Sequence, residues 1–314
     1  MKKLRNIAGD GIRFARKIQA MGKFHVYRKV SLPTKKMLKK YLPATVRIRT
    51  SGSDVKSYRN ICLAAATDDK VFNTFRVHPA YAYNLGEWQD DTRKIALDII
   101  KNEYPDLLAH VKKFEESERF GGPVIHKTEL GNFSDPTIRY IRTLGNIRSQ
   151  VGPLDNFNIV EIGAGYGGQC KIISDAFNVK SYTLVDLPEV LALDKKFLTK
   201  LHVPNVRYIP GETVQPGTTY DLIISNFAFA ECERTIQQTY IDTIIKDAKR
   251  GFIIYNFDGH PSQDYNPIRP YFKDEIISIL GKYHKLTILD DYPHPDHCQP
   301  FILVWDDTKN PIAQ

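Results

Sequence analysis

The rhythm of apolar and polar positions changes near residue 150. From about residue 53 to 150 the pattern is helical. In the stretch 91–110, Ile95, Ile99 and Ile100 fall at helical spacing until Pro105 interrupts them. Gly121-Gly122-Pro123 signals a turn. Ser134 or Asp135 ahead of Pro136 makes a helix start, because proline lacks an N–H that the first helical turn leaves unbonded anyway. Val151-Gly152-Pro153 reads as a junction. Beyond Asn156, short β-rich runs alternate with helical stretches. Strands are predicted over 159–162, 182–185, 206–209, 221–225 and 252–255, and helices over 167–177, 188–201 and 235–248. Such alternation builds a parallel sheet with right-handed crossovers. A helix over 270–280 and strands over 286–289 and 301–305 complete the set. The loop between those last strands is too short for a crossover helix, so they are expected as an antiparallel pair at the sheet's edge.

Composition bounds the class. The 314 residues are 42% hydrophobic and 25% charged, which excludes wholesale disorder and fibrous repeats. No apolar run approaches the roughly 18 residues of a membrane span. The basic start Met1-Lys2-Lys3-Leu4-Arg5 is followed by no apolar core of a signal peptide. Cys62, Cys170, Cys232 and Cys298 are far apart, as suits reduced thiols rather than a zinc cluster. A cytoplasmic protein is expected, peripheral at the inner membrane face if its N-terminal arm binds there.

That arm carries the basic charge. Of the net +8, residues 1–50 contribute fifteen Lys and Arg against a single acid, Asp10, so the rest of the chain is mildly acidic. Leu4, Ile7, Phe14, Ile18 and Met21 recur at helical spacing within it. Three roles fit: contact with an anionic membrane surface, a grip on a polyanion such as RNA or a charged glycan, or a solvated tail packed on the body by its apolar stripe. The expected organisation is a basic arm (1–50), a mostly helical cap or substrate region (51–150), and an α/β domain (151–314).

The strongest motif is Val160-Glu161-Ile162-Gly163-Ala164-Gly165-Tyr166-Gly167-Gly168, between a predicted strand and a predicted helix. Without Cβ atoms the loop can turn sharply and approach a ligand closely, and N–H groups at a helix start are expected to face it. Gly163, Gly165 and Gly168 spell the dinucleotide pattern G-x-G-x-x-G. Glu161, Gly163, Gly165 and Gly167 equally spell the E-x-G-x-G-x-G of S-adenosylmethionine (SAM) sites. A carboxylate at Glu161 repels a pyrophosphate and suits SAM's ammonium and sulfonium. Asp186, ending the next strand, can accept from ribose hydroxyls of either ligand. The antiparallel chain end is unlike a second mononucleotide-binding half. SAM is therefore the expected cofactor, with NAD(P) the alternative. Leu187 is placed to cover the adenine, Glu212 to accept from its amino group, and Asn226 to line the site after the fourth strand.

These residues resemble the class I SAM-dependent methyltransferases, and more narrowly a bacterial family of sugar O-methyltransferases. The matching segments are VEIGAGYGG (160–168), DLPEVLAL (186–193), YDLIISNFAFAE (220–231), Gln237/Gln238 with Tyr240, and FILVW (301–305). The resemblance spans about residues 121–305. It implies a Rossmann-like seven-stranded sheet with a reversed final strand, SAM at the glycine loop, a sugar or glycan hydroxyl as acceptor, and a helical N-terminal region over the site.

Methyl transfer to such a hydroxyl calls for a general base. Glu231, just beyond the fourth strand among Ala and Phe residues, is the first candidate, since apolar surroundings raise a carboxylate's pKa. His294, with His297 in the loop 291–298, is the second. His260 near Asp258, and Arg139 with Tyr140, are candidate substrate contacts; Arg139 can alternatively pair with Asp135 one turn away. No cluster of oxygen ligands suggests a metal. The absence of D/N-P-P-Y/F at Asn226-Phe227-Ala228-Phe229 speaks against an adenine N6-methylase. An RNA substrate, a hydride-transferring enzyme and a non-catalytic SAM-fold scaffold remain as alternatives.

Overall fold

A computed structural model describes residues 51, 54–85, 90–257, 268–291 and 300–309, the side chains of 83–85 excepted. The basic arm lies outside the described residues. So do His260 and His294, with their neighbours Asp258, His297 and Cys298.

Seven helices matter for the site: α1 (Lys56–Thr67), α2 (Asp90–Glu103), α3 (Asp135–Val151), α4 (Gly168–Ala176), α5 (Pro188–Lys200), α6 (Arg234–Thr243) and α7 (Lys273–Leu280). Helix α2 ends ahead of Pro105, and the chain continues as a 3₁₀ turn over Pro105–His110, because proline cannot extend the ladder. Ser134 takes the N-cap position of α3, with Pro136 in its first turn. Helix α6 stops at Thr243, short of the expected 248, where Ile244 leaves helical geometry and a 3₁₀ turn follows. The sequence pattern missed a small antiparallel ribbon of β1 (His126–Lys127) and β2 (Asn132–Phe133), too short to show alternation.

The main sheet holds β3 (Asn158–Ile162), β4 (Ser181–Asp186), β5 (Val206–Pro210), β6 (Leu222–Asn226), β7 (Arg250–Tyr255), β8 (Thr287–Asp290) and β9 (Phe301–Asp306). Their order is β5-β4-β3-β6-β7-β9-β8. Strands β3 to β7 pair in parallel, while β9 runs antiparallel to both β7 and β8. This is the expected Rossmann-like α/β sheet of seven strands with a reversed final strand. The central strands are buried on both faces, so they read as apolar runs rather than alternations.

Successive β3 residues point to opposite faces. Ile159 belongs to the core beneath α1, α3, α4 and α5, and Val160 and Ile162 to the core beneath α6 and α7. The first core runs from Tyr58 to Val304, so the helical segment and the sheet share one interior. Helix α1 lies on α5, and α3 on α4. Arg59 fixes the first of these contacts with a two-pronged bond to Glu189 at the start of α5, 2.7 and 3.1 Å. Among the described residues no helix is long and apolar enough to cross a membrane. The described thiols, Cys62, Cys170 and Cys232, are buried and free.

Candidate functional site

From β3 the chain winds outward to β4 and β5, then returns to β6 on the other side of β3. Open α/β sheets bind ligands at such a switch point, outside the carboxyl ends of the strands. The glycine loop and the segment after β6 meet there. Gly163, Gly165 and Gly167 have φ of +83°, +69° and +80°, a region that favours glycine. At Gly163 the requirement is also spatial, since a Cβ there would stand 1.9 Å from the Ala228 Cβ. Among the described residues, the Tyr81 hydroxyl is what comes within 4.0 Å of a Cβ position on Gly165.

The loop's own N–H groups ahead of the helix are bonded within the protein. Gly163 N–H donates to the Val185 carbonyl at 2.9 Å and Gly167 N–H to the Ala164 carbonyl at 2.9 Å. Ala164 and Gly165 donate to one oxygen of Asp186, at 2.8 and 3.4 Å, and Leu187 N–H donates to the other at 2.7 Å. Asp186, expected to accept from the ribose hydroxyls, also clamps the loop. A carboxylate has about four lone-pair sites, so with three taken it has room for roughly one ribose hydroxyl rather than two. Burial pushes Asp186 up to about 6, opposed by these three backbone bonds.

Glu161 differs more from expectation. The pleat turns it away from the loop into the helix-covered core, where it is 1% exposed and accepts a hydrogen bond from Tyr182 at 2.8 Å. Burial raises it to about 8, with Asp186 adding to the rise and Tyr182 opposing it. It is therefore largely neutral at pH 7, and its expected charge repulsion of a pyrophosphate does not arise there. A third acid in this core escaped notice in the sequence. Asp194 of α5 is fully buried, neither carboxyl oxygen has a hydrogen-bond partner, and burial with Asp186 and Glu161 nearby raises it well above the ordinary range. Its signal was available: Val190, Asp194 and Phe197 fall on one helical stripe, with the acid at a core position.

At the end of β6, Ser225 is structural, accepting from Phe229 N–H and donating to the Ile162 carbonyl. Asn226 donates to Gln169 of α4 at 3.2 Å, while its buried carbonyl oxygen has no partner. Gln169, fully buried, in turn donates to the Tyr140 carbonyl. Phe227 holds φ of +70°, a strained value for a bulky residue. Glu231 sits half-buried in the following turn, its N–H donating to the Phe227 and Ala228 carbonyls. Ser51 bridges Cys232 in antiparallel fashion, so the described chain begins beside Glu231.

The other sequence candidates scatter. Leu187 caps α5 and is half-buried against the core, and Glu212 is exposed on the 3₁₀ turn after β5. Tyr140 is no open contact; its ring is wedged against Gly168, where a Cβ would come within 2.3 Å, and packs edge-on against Tyr166. Arg139, its neighbour on α3, is half-buried. Asp135 bonds Arg93 of α2 at 2.6 Å. Tyr81, on the short helix Pro79–Leu85, carried no sequence signal at all, because only the fold brings it over Gly165.

No protein-family model matches the chain. Among curated proteins, the polyketide synthase-nonribosomal peptide synthetase ACE1 of Pyricularia oryzae is 28% identical over 165 residues, which is 45% of this chain and 4% of that much longer protein. Among solved structures, a SAM-dependent methyltransferase from Aquifex aeolicus is 16% identical, with 52% of this chain and 89% of that one covered and a TM-score of 0.38. The mitomycin 7-O-methyltransferase MmcR is 17% identical, with 55% and 58% covered and a TM-score of 0.37. At such identities and TM-scores these likenesses assign neither cofactor nor substrate to this chain.

Proposed function

We propose that the chain is a SAM-dependent methyltransferase that acts on a hydroxyl of a sugar or glycan. One observation carries the cofactor: four N–H groups of the glycine loop are bonded within the protein, two of them to Asp186. A pyrophosphate at a glycine loop needs free N–H groups. A sulfonium does not, and it gains from an acid that already stands at the loop. The hydroxyl acceptor rests on the resemblance in 160–168, 186–193 and 220–231.

When bound, SAM supplies a methyl group already activated for in-line displacement. The chain's part is to hold both reactants in line and exclude water. Asp186 is assigned one ribose hydroxyl, Leu187 the adenine face, and the unpartnered Asn226 oxygen a donor group of either reactant. Contact between Gly163 and Ala228 locks the turn that carries Glu231 to the glycine loop. Glu231 is assigned the proton leaving the acceptor hydroxyl. The arm, 1–50, is assigned an anionic membrane surface or charged glycan, as its basic charge suits.

Calorimetry with SAM tests the cofactor, and affinity is expected to rise from pH 5 to pH 7 as Asp186 loses its proton. Failure to bind SAM, with binding of NAD(P)H instead, would sink the reading. Incubation with labelled SAM and a panel of nucleotide-sugars, lipid-linked glycans and RNA then identifies the acceptor. Glu231→Gln should keep SAM affinity while turnover falls about 10²- to 10⁴-fold, the usual weight of a general base; full turnover removes Glu231 from that role.

A further inference from the structure

The glycine loop leaves a chemical requirement unmet. A donor bearing an amino acid brings a carboxylate as well as cations, and that carboxylate needs hydrogen-bond donors. The N–H groups of Gly163, Ala164, Gly165 and Gly167 are committed to Val185, Asp186 and Ala164. The nearby side chains Asp186, Glu161 and Asp194 are acids.

Tyr81 is placed differently. Its ring is fully buried and fixed edge-on against Phe75 at 4.8 Å, with Tyr58 tilted beside it at 5.4 Å. Its hydroxyl is buried, has no hydrogen-bond partner among the described residues, and lies 4.0 Å from where a Cβ on Gly165 would stand. The Tyr58 hydroxyl is its polar neighbour within the core, and the two influence each other's titration. A buried hydroxyl without a partner costs about 1–3 kcal/mol, and its retention at the edge of a ligand crevice calls for a partner that arrives.

We propose that the Tyr81 hydroxyl donates a hydrogen bond to the amino-acid carboxylate of the bound donor, so that the helical segment completes the cofactor cradle. This rests on the SAM reading above. A donor with one ribose hydroxyl on Asp186 would meet the glycine loop, and among the described residues Tyr81 is the polar side chain beside Gly165. Burial keeps the phenol protonated, its pKa well above 10, so it stays a donor at every working pH. The assignment makes the segment before residue 150 part of the cofactor site as well as a cover for the acceptor.

The test is calorimetry on the full chain and on Tyr81→Phe, with S-adenosylhomocysteine and with its decarboxylated analogue, which keeps the ammonium. Tyr81→Phe should weaken S-adenosylhomocysteine about tenfold or more, as for a hydrogen bond to a charged group, and leave the analogue within about twofold, the spread of a lost neutral contact. Melting without ligand should be unchanged or higher for Tyr81→Phe, because the hydroxyl has no partner to lose. Equal affinity for S-adenosylhomocysteine in both proteins, equal loss on both ligands, or a lowered melting temperature overturns the assignment. A wild-type chain that binds neither ligand overturns the cofactor reading and takes this assignment with it; wild-type binding with Tyr81→Phe unchanged overturns this assignment alone.

Discussion

The two faces of the sheet treat their buried polar groups in opposite ways. Beneath α6 and α7, Gln237 donates to the Phe229 carbonyl at 3.0 Å and to the Tyr255 hydroxyl at 2.8 Å, and accepts from Tyr271 N–H at 2.7 Å. Tyr255 passes its proton on to the Tyr271 carbonyl, and the Trp305 indole donates to Ala248 at 3.0 Å. This network closes on itself. Beneath α1, α3, α4 and α5, by contrast, both oxygens of Asp194 and the hydroxyl of Tyr81 are buried without partners among the described residues, and Glu161 sets one hydrogen bond from Tyr182 against a strong burial penalty. Buried polar groups are normally satisfied. A closed network indicates a face built for stability, and orphaned groups at a switch point indicate a face built for a ligand.

The largest effect expected from this contrast is on the closed side. Gln237→Ala leaves the Tyr271 N–H and the Phe229 carbonyl buried without their partner, and should cost about 2–4 kcal/mol in chemical denaturation. It should not change ligand affinity per folded molecule. A loss under about 0.5 kcal/mol, the ordinary scatter of surface changes, would mean that the network is ornamental and the contrast between the faces unfounded.

Much of the fold was legible in the sequence because it depends on short-range signals. The strand and helix alternation after Asn156, the Pro-limited starts of α3 and α5, and the glycine loop follow from local sterics and periodicity. The antiparallel end pair was legible from loop length alone. The site was legible only at its rim. Asp186, Gly163 and Asn226 are marked by their positions at strand ends, but what they bond to is set by pairs far apart in sequence, such as Ala164 with Asp186 and Asn226 with Gln169. Glu161 was misjudged because motif spacing does not tell which way a strand's pleat turns a side chain. Tyr81 reaches Gly165 only through the packing of the helical segment on the sheet, and no local pattern encodes that.

The ligand face yields a smaller, pH-dependent effect. Glu161 has an ordinary pKa of 4.5 when the chain is unfolded and about 8 when folded. Between those values the folded chain holds a proton that the unfolded chain has released, so stability is greatest at the acid end and falls as pH rises through the window. One proton corresponds to about 1.4 kcal/mol per pH unit. Glu161→Gln should remove about that much slope between pH 5 and 7.5 in urea melts. Asp194 is raised in the same direction, so Asp194→Asn should melt higher than wild type at pH 7, the gap closing as pH falls toward 4. Slopes unchanged in both variants would show that the two acids titrate as they do in water, and that this face carries no burden for a ligand to relieve.

Glu212 lies outside both faces and gives the smallest effect. It is exposed on the turn after β5, beside Gly211, where a Cβ would stand 2.3 Å from the Tyr240 hydroxyl. That close contact holds the turn after β5, where the proposed site would take the adenine. A hydrogen bond that an adenine amino group donates to an exposed carboxylate mostly replaces one from water, so its net worth is about 0.5–1.5 kcal/mol. Glu212→Gln keeps an acceptor oxygen and should weaken SAM by about threefold or less, with melting unchanged in the absence of ligand. The same substitution made on the ligand face, at Glu161, should shift both melting and its pH slope. If Glu212→Gln instead abolishes SAM binding, the recognition energy resides at the wet rim, and the buried acids and Tyr81 are bystanders to it.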